Sequence, residues 1–194
     1  PEEREKMNQY YLKKAELSFR EGEGIAGRLF DLLDGDTDKI LTMFSMLLTT
    51  IGTPIIYYGD EVGVQNNAEF FAESAQKTGY ADARFFNRGP MPWHKAEKAL
   101  TNPESKEGTI YYGLQKMITF KRENCDLFRA ESSFPDMGRT GLYCVSKNAD
   151  GRELLAVHNL TGQIQKVEVS GRDAFSGERF STLEFAPYDY RWIL

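Results

Sequence analysis

Cysteine, histidine and runs of basic residues are all scarce in this chain of 194 residues. The two cysteines, Cys125 and Cys144, are too few for a disulfide framework. Their spacing leaves pairing open, with two buried or free thiols the favoured reading. His94 and His158 are isolated, with neither Cys nor carboxylate neighbours at ligand spacing, and His158 falls in an expected strand where a structural role is the natural one. No cluster of Lys and Arg exists. A net charge of −5 and a pI near 5.2 argue against a nucleic-acid partner, because phosphate binding needs a surplus of clustered cations.

Other absences narrow the field further. No apolar stretch approaches the roughly 20 residues that cross a bilayer, and the chain opens on charged residues, unlike a signal peptide, so no membrane partner is expected. Pro1 in place of Met points to processing or truncation; a targeting signal would lie upstream, and localisation stays open with the cytoplasm favoured. Neither a Ser-His-Asp order, a glycine-rich phosphate loop nor a Cys-x-x-Cys pair occurs, so no cofactor is expected. Asp34, Asp36 and Asp38 alternate as at the start of a calcium loop, but Lys39 and Ser45 stand where such a loop needs Gly and Glu. Helix capping explains these acids, and no metal site is assigned. There is no internal repeat or low-complexity segment.

What is present is enough to fold. At 41% hydrophobic and 13% aromatic, the chain can bury one large core or two small ones. Mixed charges with Tyr10, Tyr11, Leu12, Ala15, Leu17 and Phe19 predict a loosely periodic helix over 2–20. Gly22, Gly24 and Gly27 break it and lead to a short helix at 29–33. Ile40, Met43, Phe44, Leu47, Leu48 and Ile51 fall at helical spacing, with Asp36, Thr37 or Asp38 as caps and Gly52 as the stop. The apolar run Pro54 to Tyr58 then reads as a strand buried on both faces in a parallel sheet. It has no candidate partner here, so its backbone is left unpaired, pairs with another chain, or belongs to a larger sheet. Residues 64–100 read as a long irregular loop with some helix over 68–76, and a further helix covers 109–123.

Beyond Asp126 the period changes to two. Short β-prone runs at 141–147, 153–159, 165–170, 181–185 and 188–194 are separated by turn residues, with Asn148 to Gly151 as a hairpin connection. Such spacing predicts a small antiparallel sandwich.

Two segments carry a resemblance. GTPIIYYGDEVG, at Gly52 to Gly63, and RFFNRGPMPW, at Arg84 to Trp93, resemble the eighth strand and following loop of glycoside hydrolase family 13, the α-amylase superfamily, closest to its trehalose synthase and α-glucosidase-like branches. PEEREKM resembles the segment after the family's seventh-strand NHDE element, FKREN resembles the end of the last barrel helix, and APYDYRWIL resembles the last strand of the β domain that follows. The resemblance implies an α/β plus all-β fold: a C-terminal remnant of a (β/α)8 barrel (helix 7, strand 8, helix 8) over 1–125, then a small antiparallel β-sandwich over 126–194. It also implies a parent enzyme that acts on α-glucosidic bonds with retention. The family's catalytic carboxylates have no counterparts here, so no catalytic residue is assigned and the chain alone is expected to be inactive.

Arg84 and Arg88 resemble the R-x-x-x-R-x-P-M-x-W pattern in which arginines help define the non-reducing-end pocket, and guanidinium donors suit carboxylates and sugar hydroxyls. Pro92 stands where Gln is commoner, and Phe85 and Phe86 lie between the arginines. Trp93 and Tyr58 are candidates for stacking on a sugar face. Neighbours on a strand point to opposite faces and do not flank one bond, so Asp60 and Glu61 are given no catalytic role, and the resemblance implies that they support the site. A different class is also open, a non-catalytic carbohydrate-binding module whose glucan surface would use Phe175, Phe180, Phe185, Tyr188, Tyr190 and Trp192. Apolar surface left uncovered predicts self-association through Ile55 to Tyr58, or disorder before Asp126.

Overall fold

The computed structural model describes residues 2–12, 17–19 and 24–194. By their contacts these residues form two compact units, 1–36 with 56–109 and 37–55 with 110–194.

The first unit opens with helix α1 (Glu2–Tyr11), which buries none of its residues. The helix expected to reach residue 20 stops at Tyr11, because a helix with no face to pack gains nothing from further turns. Ser18–Phe19 (β1) instead pairs antiparallel with Gly24–Ile25 (β2); positions 13–16 and 20–23 of that expectation lie outside the described residues. Helix α2 (Leu29–Leu32) follows as expected. Helix α4 (Ala68–Thr78) is capped by the Asn67 side chain, which accepts from the Phe70 amide at 2.8 Å. Its Phe71 ring stacks at 4.1 Å on Phe86 in a short 3-10 turn, Ala83–Asn87. The region read as irregular from 64 to 100 therefore holds more helix than expected. Helix α5 (Trp93–Thr101) starts directly after Pro92 and buries only Ala99.

No strand forms at Pro54 to Tyr58, which corrects the expectation. Ile55 is 81% exposed, and both Tyr57 and Tyr58 are exposed. The run has the composition of a doubly buried strand, but none of the described strands lies beside it, and a strand exists only where a neighbour completes its ladder.

The second unit is built on helix α3 (Thr37–Thr49), helix α6 (Lys106–Glu123, from residue 110 onward), helix α7 (Cys125–Arg129) and a four-stranded antiparallel sheet. Its strands are β3 (Ser132–Ser133), β4 (Leu142–Ala149), β5 (Arg152–Asn159) and β10 (Tyr190–Ile193), in the order β10-β5-β4-β3. Asp150 and Gly151 join β4 to β5 with φ of 51° and 74°, a two-residue turn with both residues in the left-handed region, whose twist matches the right-handed twist of the strands. Two ribbons accompany the sheet: β6 (Gln165–Val167) with β9 (Leu183–Phe185), and β7 (Gly171–Arg172) with β8 (Arg179–Phe180). Cys144, Val157, Val167, Phe185 and Ile193 form one buried cluster. Each fully buried aromatic or branched side chain of this kind contributes about 1.5–3 kcal/mol before entropy. Both cysteines are free, Cys144 buried and Cys125 exposed.

Helix α3 carries apolar residues on two faces. Ile40, Phe44 and Leu48 are buried, whereas Met43, Leu47 and Ile51 are exposed. Its buried polar residue Ser45 closes a network: Trp192 Nε1 donates to the Ser45 hydroxyl at 2.7 Å, and that hydroxyl lies 2.8 Å from His158 Nε2. His158 Nδ1 lies 2.9 Å from the Tyr143 carbonyl, which can only accept, so Nδ1 carries the proton and Ser45 donates to Nε2. The serine and histidine thus resemble a nucleophile and base in distance alone. Both are fully buried, and burial drives the His158 pKa down to about 4. The structural reading of His158 follows.

Candidate functional site

The site is a cleft of about 370 Å³ in the first unit, within the range of small-molecule pockets. Its walls come from Phe19, from Ile25 to Arg28, from Tyr57 with Asp60, and from Arg84 with Asn87 and Arg88. The middle wall depends on Gly59, whose φ of +87° starts a 3-10 turn, Asp60–Val62. A Cβ there would also meet Val64 Cγ2 at 2.6 Å, so both conformation and space require glycine. Asp60 and Glu61 therefore sit in a tight turn and not at the end of a strand.

Arg84 forks onto Asp82. Its Nε donates to both carboxylate oxygens at 2.9 Å, a terminal nitrogen lies closer still to Oδ2, and the guanidinium covers the Phe19 ring at 4.9 Å. The hydrogen bonds from Arg84 hold the Asp82 carboxyl at about 2. Arg88 is exposed and makes no hydrogen bond or ion pair among the described residues, which leaves its donors available to a ligand. Sequence reasoning paired Arg84 and Arg88; the structure brings both to one cleft with different duties, one already neutralised and one free.

Tyr58 does not line the cleft. Its hydroxyl donates to the Gly89 carbonyl at 2.7 Å, tying the turn to the loop after Arg88, and burial is the main cause of its raised pKa. Tyr57 presents its ring to the cleft instead. Trp93 is 71% exposed at the start of α5 and lines no part of the cleft. Burial, only partly offset by Arg28, raises the Asp60 pKa.

Arg28 was not picked out from the sequence. It is 2% exposed, and its NH1 donates to the Tyr58 carbonyl at 2.5 Å and to Asp60 Oδ1 at 3.3 Å. The only sequence signal was a lone cation within the apolar stretch Ile25 to Phe30. Among the described residues no group of His, Cys, Asp and Glu could hold a metal ion, and no helix is long and apolar enough to cross a membrane.

No known family profile matches the chain. It is 28% identical to a trehalose synthase of Thermus thermophilus over its whole length, covering 22% of that protein. It is 29% identical to a trehalose synthase of Pimelobacter sp. (strain R48) over 77% of its length, covering 29% of that protein. The chain thus spans less than a third of these relatives. In fold it is similar to the crystal structure of a maltogenic amylase from S. marinus, with a TM-score of 0.64 at 15% identity over 87% of this chain and 21% of that one. Together the sequence similarities indicate glycoside hydrolase family 13, the α-amylase family, as the family this chain resembles, and the likeness in fold agrees.

Proposed function

We propose that this chain is the C-terminal part of an enzyme acting on α-glucosides or α-glucans by hydrolysis or transglycosylation with retention, and that its cleft supplies part of the sugar-binding wall. The observation that carries the reading is the convergence of Arg84, Arg88, Asp60 and Tyr57 on one cleft, within a chain similar along its whole length to a trehalose synthase. Arg88 binds a hydroxyl or carboxylate. Arg84, already paired, fixes the wall through Asp82. The resemblance implies that the attacking and proton-donating carboxylates reside on strands this chain does not contain, so it is inactive alone. In the same reading, residues 1–125 are the end of a (β/α)8 barrel (helix 7, strand 8, helix 8), and 126–194 are a β-sandwich packed after it. Pro54 to Tyr58 then gains its ladder from neighbouring barrel strands. The acidic charge balance keeps nucleic acid and membranes out of the partner list.

The test is kinetic. In a full-length polypeptide carrying this chain, Arg88→Ala raises KM for an α-glucoside by about 10- to 100-fold, as expected for a lost charged hydrogen bond, with kcat within a few-fold. The 194-residue chain alone shows no turnover. Turnover by the purified chain that survives replacement of both Asp60 and Glu61 overturns the reading.

No observation favours the binding-module alternative. Of its six candidate rings, Phe185 and Trp192 are buried and the rest half-buried. Phe175 packs 5.1 Å from Trp192, an arrangement of core rings.

A further inference from the structure

We propose that Arg28 is a positioning residue for sugar recognition: it fixes the Tyr57 ring and the Asp60 turn against the cleft, and substrate affinity depends on its planar guanidinium. This inference rests on the proposed function.

A guanidinium that is 2% exposed is a costly thing to bury, and it is kept only where its surroundings use it. Here NH1 serves two acceptors on the turn, the Tyr58 carbonyl and the Asp60 carboxylate. The flat face lies 4.7 Å from the Tyr57 ring and 4.6 Å from the Tyr58 ring. The Arg28 backbone amide donates to Asn66 Oδ1 at 2.8 Å, on the far side of the same turn, and the Asn66 amide donates to Asp31 Oδ2 at 2.5 Å. One residue therefore grips both the entry and the exit of residues 58–66.

Besides Arg28, this wall is held by the Tyr58 hydroxyl on the Gly89 carbonyl and by Lys95 Nζ on the Gly63 carbonyl at 3.1 Å, neither of which bonds to the Tyr57 or Asp60 side chain. Tyr57 and Asp60 belong to a segment that forms no strand, and Arg84 is occupied with Asp82. Lysine cannot replace Arg28, since an ammonium lacks the planar face that lies over the Tyr57 and Tyr58 rings. Misplacement of a binding wall by about 1 Å is enough to weaken recognition strongly.

The experiment uses the full-length polypeptide carrying this chain, with Arg28→Lys as the first variant and amide hydrogen exchange over 58–66 read beside KM and kcat. The expected result is exchange over 58–66 about 10-fold faster, KM raised about 10-fold or more, and kcat within about 3-fold. A merely structural role lowers the unfolding midpoint and the yield of active protein but leaves KM unchanged, and that result overturns the proposal. If Arg28→Lys fails to fold, Asn66→Ala loosens the Arg28 amide from outside the cleft, and the same rise in KM with faster exchange is expected. An unsubstituted protein that turns over no α-glucoside defeats the functional reading; exchange still decides the positioning, with acceleration upholding it and no change overturning it.

Discussion

Trp192, in the last strand, donates its indole N–H to the hydroxyl of Ser45, 147 positions earlier in the chain. That single hydroxyl also donates to His158, so three buried side chains from a helix and two strands have every polar atom satisfied.

Removing the hub leaves two buried groups without partners. Ser45→Ala is expected to destabilise the second unit by about 1–3 kcal/mol, the desolvation cost of an unpaired buried donor or acceptor. Urea unfolding followed by tryptophan fluorescence measures it, and an unchanged midpoint contradicts the network.

The same network makes stability fall in mild acid. His158 titrates near 4 in the folded chain against about 6.5 unfolded. Its folded pKa is depressed, so the neutral form belongs to the native state. Above pH 6.5 neither state binds the proton and the group contributes no slope. Between 6.5 and 4 only the unfolded chain takes it up, and stability falls by at most about 1.4 kcal/mol per pH unit. Asp60 and Asp189, with raised pKa values, act in the opposite sense lower in the range, so the comparison is with His158→Gln. The variant is expected to be weaker at pH 7 but to lose this slope between pH 6.5 and 5.

The β4–β5 turn tests backbone strain separately from packing. Gly151 has φ of +74° with nothing within 4 Å of an added Cβ. Gly151→Ala therefore costs about 1–2 kcal/mol from conformation alone, while Asp150→Gly is neutral or stabilising. Equal midpoints for Gly151→Ala and the unsubstituted chain would show that the turn relaxes.

Exposed apolar residues at the end of α3 and beyond it set the expected behaviour of the isolated chain. Ile51 is 67% and Ile55 81% exposed, and Met43 and Leu47 extend the patch. Concentration-dependent association in sedimentation is expected, and Ile55→Arg is expected to shift it toward the monomer. A single monomeric species at all concentrations rejects this.

How much of this was legible depends on the range of the interaction. The strand pair β4 and β5, their connection within 148–151 and the helix carrying Ile40, Phe44 and Leu48 are local, and the sequence reading located them, although Met43, Leu47 and Ile51 of the same stripe are exposed and Asn148 and Ala149 belong to β4. Arg28 was invisible because its partners lie 30 and more positions away. Pro54 to Tyr58 has strand composition without a strand, since pairing is a property of two segments and composition of one. Trp93 looked like a stacking residue, but its place at the head of α5 carries it away from the cleft.

The link between Ser45 and Trp192 also bears on how the chain reaches this structure. Helix α3 lies in the first quarter of the sequence, and β10 ends it. Contacts of such separation require closure of a long loop before they return any energy, which raises the contact order of this unit. During synthesis the Ser45 hydroxyl gains its Trp192 partner only after 147 further positions have been added.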